Sequence, residues 1–148
     1  MTVRTRRAAL QDIEAVVPLF DAYRMFYGQP SDPQRARDWL QARMEAGESV
    51  VLLAERDGAA VGFAQLYPMF TSVGTARTWI LNDLYVDADA RRGGVARALL
   101  DAAAEFARGD GARSIVLETT RDNAPARALY RNAGWNEDQT QWYSLSLG

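Results

Sequence analysis

The spacing of hydrophobic residues divides the chain into alternating strand-like and helix-like segments. Alternating or continuous apolar runs indicate strands at residues 3–8, 49–54, 60–67, 75–86 and 114–120. Apolar residues recur every three to four positions in four other segments, which predicts amphipathic helices. These helices are expected from Asp12 to Tyr23, from Pro33 to Met44, from the glycines at 93–94 to Arg108, and over residues 123–133.

Turn-forming residues mark several boundaries between these elements. Asp57-Gly58 lies between two strand-like runs and predicts a hairpin. Ser31-Asp32-Pro33 supplies a cap and a first-turn proline for the second helix. Pro18 interrupts the first helical pattern, and because proline lacks an N–H it is expected to kink or shorten that helix.

The last residues of the chain show the two-residue period of a strand. Residues 135–147 are interpreted as two terminal strands, in which Trp142, Ser144 and Ser146 alternate against Tyr143, Leu145 and Leu147. An exposed strand of this kind can pair with its copy across a two-fold axis. The sequence therefore suggests a homodimer.

The segment from Val86 to Ala96 carries the first chemical signal. An apolar strand passes through a polar turn into Gly93 and Gly94, and an amphipathic helix follows. Glycines allow backbone N–H groups to approach a ligand closely, and the start of a helix favours negative charge. A phosphorylated cofactor is the expected ligand.

Composition restricts the chemistry and the class of protein. The 148 residues are interpreted as one domain, 1–148, and they include neither cysteine nor histidine. This excludes disulfides, cysteine nucleophiles and histidine-based triads, and no metal site is expected. The net charge of −2 argues against nucleic acid as a partner. No apolar run is long enough to span a membrane and the first residues lack a signal sequence, so a cytoplasmic location is expected.

Two motifs in order give the chain a family resemblance. Arg91, Gly94 and Ala96 match a phosphate-loop pattern Gln/Arg-x-x-Gly-x-Gly/Ala, and Asn123, Ala126 and Tyr130 match Asn-x-x-Ala-x-x-x-Tyr. The chain thus resembles the GNAT superfamily of acyl-coenzyme A N-acyltransferases. The resemblance implies an α/β fold of the α+β type: one GNAT-like domain with a mixed, mostly antiparallel sheet of six to seven strands and about four helices. Arg92 departs from the pattern, since many relatives have glycine there.

The same resemblance implies a site for acetyl-CoA as co-substrate. In such enzymes the strand that here ends Leu84-Tyr85-Val86 separates from its neighbour and pairs with the pantetheine arm. Backbone N–H groups of the segment Arg92, Gly93, Gly94, Val95, Ala96 and Arg97 would bind the pyrophosphate. Asn123 would hold the pantetheine arm, or act only as a helix N-cap.

The resemblance also suggests an acid and a base. Tyr130 matches the position whose hydroxyl protonates the leaving thiolate, although it can also be a packing residue of its helix. Glu118 is at the spacing of a glutamate that takes the amine proton in one branch of the family; the alternative is a surface carboxylate. The rival pair is Asn82-Asp83, because polyamine-acetylating relatives have a glutamate at the position of Asn82. Asparagine is not a base, and Asp83 is expected on the other strand face.

The acceptor pocket in this family is built by the first two helices and their connection. The aromatic residues Tyr23, Phe26 and Tyr27 lie there beside Asp21 and Asp32, and together they could hold a cation through ring faces and carboxylates. The alternative is that at least one of Tyr23 and Phe26 is a core residue. The segment 79–86 looks most like the histone- and polyamine-acetylating branch. The sequence is thus interpreted as an N-acetyltransferase acting on a primary amine by direct transfer in a ternary complex. A non-catalytic acyl-CoA sensor and a nucleotide-binding regulatory domain are the alternatives.

Overall fold

A computed structural model of the chain describes residues 2–148, which divide into two compact units. The first unit ends at Glu118, and the second comprises Thr119–Gly148. The first unit contains the strands β1 (Val3–Arg7), β2 (Val50–Arg56), β3 (Ala59–Thr71), β4 (Ala76–Val86) and β5 (Ser114–Val116), and the helices α1 (Ile13–Phe26), α2 (Pro33–Glu45) and α3 (Val95–Gly109). The second unit contains helix α4 (Ala124–Asn132). These elements confirm the α+β class with four helices.

The five strands form one mixed sheet in the order β1-β2-β3-β4-β5. The first four are antiparallel neighbours, and β5 runs parallel to β4. Most of the predicted strands and helices are therefore present with small changes in their ends. The connection between the runs predicted at 60–67 and 75–86 is shorter than expected, because β3 continues through Pro68 to Thr71. Pro68 is tolerated there because the pairing of β3 with β2 ends at Leu66.

The expectation of six to seven strands was too high. Residues 2–148 form five strands, and the segment 135–147 contains none of them. Its alternating pattern indicates two different faces, but a strand also needs a neighbour for its backbone N–H and C=O groups, which a local pattern does not provide. The side chains of Trp142, Tyr143, Leu145 and Leu147 are exposed. The homodimer inferred from this segment stays a prediction.

The two faces of the sheet are covered by different helices of the first unit. Phe63 packs in a buried cluster with residues of α1 and α2. A Cβ atom on its neighbour Gly62 would instead meet Val95 and Leu99 of α3. Successive residues of a strand point to opposite faces, so α1 and α2 cover one face and α3 covers the other.

Local sequence rules explain most of the turns. Asp57 and Gly58 both have positive φ, as a two-residue type I′ hairpin turn requires. Asp32 caps α2 by accepting the N–H of Arg35 at 3.1 Å, with Pro33 in the first turn. Pro18 did not shorten the first helix: α1 continues through it to Phe26, and Pro18 itself is exposed.

Two other kinds of feature, a membrane-spanning helix and a metal-binding cluster, are absent from the described part of the chain. Within residues 2–148, none of the helices combines the length and the apolar character that crossing a bilayer requires. The same residues contain no cluster of three or more acidic side chains placed to hold a metal ion.

Candidate active site

The open edge of β4 is the first component of the site. Pairing between β4 and β5 covers Thr78, Trp79 and Ile80, and it ends at the pair Ile80–Val116. Beyond that point β4 continues to Val86 with β3 on its other side. Leu84, Tyr85 and Val86 therefore have a backbone edge that β5 does not cover. Such an edge offers N–H and C=O groups to an extended ligand.

The loop between β4 and α3 has the backbone conformation that its glycines suggested. Gly94 is the N-cap of α3 and has a φ of 81°. Arg92 also has a positive φ, 67°. That conformation costs a residue with a Cβ roughly 1–2 kcal/mol, so glycine is the residue that would adopt it without strain. Arg92 thus keeps the loop shape, with local strain.

Two arginine side chains donate hydrogen bonds to backbone carbonyls just before this loop. Arg91 turns back onto β4, where its Nε donates to the carbonyl of Val86 at 3.0 Å and its guanidinium lies 5.6 Å from the ring centre of Tyr85. Arg56, at the end of β2, donates to the carbonyl of Ala90 at 3.3 Å. Its guanidinium also occupies the space next to Gly93, where a Cβ would lie 3.2 Å from Cζ. The absence of a Cβ at Gly93, rather than its φ, allows this close approach of Arg56.

The start of α3 is open to an anion. Among the described residues no side chain caps this helix, so the N–H groups of Val95 and Ala96 in its first turn are available to a ligand. The helix dipole and the adjacent arginines favour negative charge at this position. Arg97 itself bonds Asp101 one turn later at 3.1 Å. The arrangement is suited to bind a phosphate group.

A buried carboxylate lies beneath the open strand edge. Asp83 is only 3% exposed and accepts hydrogen bonds from Gln65 Nε2 at 2.6 Å and Asn82 Nδ2 at 2.9 Å. The hydroxyl of Tyr23 donates to the backbone carbonyl of Asn82 at 3.2 Å. The structure thus brings together three of the residues expected at the acceptor site, Tyr23, Asn82 and Asp83.

Burial controls the ionisation of this cluster. Burial raises the pKa of Asp83, while the hydrogen bonds from Gln65, Asn82 and Tyr23 act in the opposite direction. Burial, and then the negative charge of Asp83, raise the pKa of Tyr23. The phenol therefore stays protonated at neutral pH and serves as a donor.

Aromatic side chains follow this cluster along the end of α1. The rings of Tyr23 and Tyr27 lie 5.0 Å apart, and those of Phe26 and Tyr27 lie 5.2 Å apart. Tyr23 is half-buried and also packs edge-on against Phe63 and Tyr85. Phe26 and Tyr27 are 68% and 66% exposed. Tyr23 is therefore partly a packing residue, whereas the other two offer ring faces and edges at the surface.

Glu118 was expected within a strand, but the structure places it after the end of β5. β5 ends at Val116, so Glu118 follows two residues later and is exposed. The alternation of residues 114–120 indicated a longer strand, but pairing with β4 stops at Val116. Glu118 is consequently open to solvent and to a ligand.

The second motif lies in the second unit. Asn123 is the N-cap of α4, and its side-chain oxygen accepts the N–H of Ala126 at 3.3 Å. This cap does not use the NH₂ group of Asn123. Tyr130 is on the same helix, half-buried, with its ring 6.5 Å from that of Trp135. The structure confirms the N-cap role of Asn123, and a role in ligand binding stays a prediction.

Two residues of the site were missed by the sequence analysis. Gln65 gave a signal, because it is the one amide in an apolar strand pattern at 60–67. Arg56 gave none, because its contact with the loop depends on how β2 is placed in the sheet.

Comparison with known proteins gives a consistent family. Residues 14–135 match the model of the acetyltransferase (GNAT) family. The chain is 47% identical over 133 residues to the uncharacterized N-acetyltransferase YhfO of Bacillus subtilis, which covers 90% of this chain and 89% of that protein. It is 30% identical over 102 residues to the aminoglycoside N(6')-acetyltransferase type 1 of Klebsiella aerogenes, covering 68% and 67%. A crystal structure of a probable acetyltransferase superposes with a TM-score of 0.93 at 40% identity and covers 98% of both chains.

Proposed function

This chain belongs to the acetyltransferase (GNAT) family and is an N-acetyltransferase that uses acetyl-CoA, and we propose that it acetylates a primary amine of a small molecule or peptide. The transfer is direct, in a ternary complex of enzyme, acetyl-CoA and amine. The absence of cysteine from the sequence supports this order, because no thiol is available to carry the acetyl group.

The coenzyme site is proposed on the open edge of β4 and the uncapped start of α3. The observation that carries it is the loop between them, where Gly94 begins a helix whose N–H groups have no capping side chain among the described residues. In the proposed complex these N–H groups bind the pyrophosphate. The backbone of Leu84, Tyr85 and Val86 pairs with the amides of the pantetheine arm, and Asn123 contributes its free NH₂ group.

The chemistry requires a neutral amine and a protonated leaving group. An alkylamine has a pKa of about 10.4, so making it neutral at pH 7 costs about 4–5 kcal/mol. We assign removal of the amine proton to Glu118, whose exposed position supports contact with a ligand. We assign protonation of the coenzyme A thiolate to the Tyr130 hydroxyl. Such transfers contribute about 10²–10⁴-fold to the rate.

The acceptor is proposed to be cationic before it reacts. Exposed rings of Phe26 and Tyr27 attract an ammonium group by cation–π interactions. Aminoglycosides and polyamines carry several such amines, and the similarity to an aminoglycoside acetyltransferase supports testing the aminoglycosides first.

Release of free thiol from acetyl-CoA tests the function. The purified protein is incubated with acetyl-CoA and a panel of polyamines, aminoglycosides, amino acids and basic peptides. We expect release that depends on an acceptor, together with an acetylated product of the matching mass. Binding of acetyl-CoA without acceptor-dependent release from any member would contradict the proposal.

Replacing Glu118 with Gln should change the pH dependence of kcat/KM for the acceptor. The carboxylate must be deprotonated to take a proton, so its removal eliminates the rise in rate that accompanies that ionisation. The matched control is Glu45→Gln at the exposed end of α2, which should keep the wild-type profile. An unchanged profile in the Glu118 variant would exclude it as the base.

A further inference from the structure

The bulge in β4 determines which way its central polar residues face. Leu81 pairs with Leu66 and Asp83 pairs with Gln65, so Asn82 is an additional residue without a partner on β3. Without the bulge, Leu81 and Asp83 would lie on the same face of the sheet. The extra residue instead directs Asp83 to the face covered by α1. Bulges are enriched next to active sites, where they redirect side chains.

The orientation of the Asn82 side chain follows from its partner. The carboxylate of Asp83 can only accept hydrogen bonds, so the amide group that faces it must be the NH₂ of Asn82. The side-chain carbonyl oxygen of Asn82 therefore points away from Asp83. Tyr23 fixes the backbone of the same residue through its carbonyl. Both the main chain and the side chain of Asn82 are held in place.

The buried polar groups of this arrangement lower the stability of the fold, which indicates that they are kept for a functional reason. Gln65 is fully buried and directs its NH₂ group to Asp83, and its own Oε1 has no hydrogen-bond partner within residues 2–148. A buried carbonyl without a partner and a buried carboxylate both destabilise a fold, and apolar residues at these positions would avoid both costs. The side chain that these buried groups orient is Asn82, which is exposed at the edge where β4 has no β5 neighbour.

We propose that Asn82 binds the acceptor amine through its side-chain carbonyl oxygen, and that the buried pair Asp83–Gln65 is a positioning device that holds this oxygen toward the acceptor. The inference rests on the proposed acetyltransferase function and specifies how the amine is oriented. An amine that donates one N–H to this oxygen keeps its lone pair for attack on the thioester. Because an amide does not take up a proton at neutral pH, the proton leaves to another group, for which we have assigned Glu118.

The test compares two variants that remove the side-chain oxygens at position 82 or 83 with one that removes only the negative charge of Asp83. Asn82→Ala and Asp83→Ala should each raise the acceptor KM about tenfold, the effect of one lost hydrogen bond to a charged or reacting group. Asp83→Asn keeps an oxygen for the NH₂ of Asn82, and the amide of Gln65 can turn to accept from the new NH₂ group. It should therefore restore most of the acceptor affinity. The Kd for acetyl-CoA, measured by calorimetry, should stay at the wild-type value in all three variants.

The outcomes separate this inference from the proposed function. The control Asn136→Ala, at an exposed position of the second unit, should leave both constants unchanged. If Asp83→Asn is as impaired as Asp83→Ala, the charge rather than the orientation matters and the inference is wrong; a normal acceptor KM in Asn82→Ala also overturns it. Should Asp83→Ala fail to fold, the other two variants still decide. Failure of the wild type to release thiol with any acceptor would instead overturn the proposed function, and the inference with it.

Discussion

Replacing Tyr130 with Phe should lower kcat by about 100-fold or less and leave the Kd for acetyl-CoA nearly unchanged. The change removes one hydroxyl oxygen and keeps the ring, so packing against Trp135 is preserved. The leaving thiolate would then take its proton from water, which is a less well-positioned acid. Steady-state rates at saturating acceptor and calorimetric titration with acetyl-CoA measure the two quantities.

A matched control for this variant is available in the same unit. Tyr143→Phe makes the same chemical change at a side chain that is 90% exposed, and it should leave kcat unaltered. Wild-type turnover in Tyr130→Phe would remove Tyr130 from the acid role. A parallel loss of acetyl-CoA affinity would assign it to coenzyme binding instead.

Replacing Gly62 with Ala should destabilise the protein by about 1–3 kcal/mol and also weaken acetyl-CoA binding. The new Cβ would lie 2.9 Å from the backbone oxygen of Tyr85 and 3.1 Å from a methyl group of Val95. Backbone cannot move aside as a flexible side chain can, so β4 must shift at Tyr85, and the contact with Val95 pushes the first turn of α3 away from the sheet. Because Val95 begins that helix, the shift displaces the N–H groups proposed to bind the pyrophosphate.

The control for Gly62→Ala is Gly109→Ala, at the last residue of α3. Apart from its chain neighbours and the backbone of its own helix, no described atom lies within 4 Å of a Cβ at that position, and its φ is not in the left-handed region. Alanine is the better helix former, so stability should stay the same or rise slightly. Chemical denaturation of both variants measures the difference. Equal unfolding midpoints would show that α3 does not depend on the close contact at Gly62.

The elements that the sequence predicted well are those determined by short-range chemistry. The positive φ of Asp57 and Gly58 follows from the preference of those residue types, and the cap at Asp32 follows from its side-chain oxygen. The loop before α3 belongs to the same group, because glycine at 94 permits a conformation that few other residues adopt. The candidate coenzyme site was accessible to sequence reasoning for this reason.

The features that were missed depend on partners distant in the chain. The bulge at Asn82 is a property of the register between β3 and β4, and no pattern within β4 alone reveals it. Asp83 was expected on the wrong face for the same reason. The terminal segment 135–147 shows the converse, a strand pattern without a strand.

The contact between Arg56 and Gly93 joins the end of β2 to the loop before α3. The guanidinium occupies the volume that a Cβ at position 93 would need. Because the end of an arginine side chain is flexible, a larger residue at 93 would push it away and break its hydrogen bond to the carbonyl of Ala90. The absence of a side chain at 93 thus allows a strand residue to hold a loop that is distant from it in the chain.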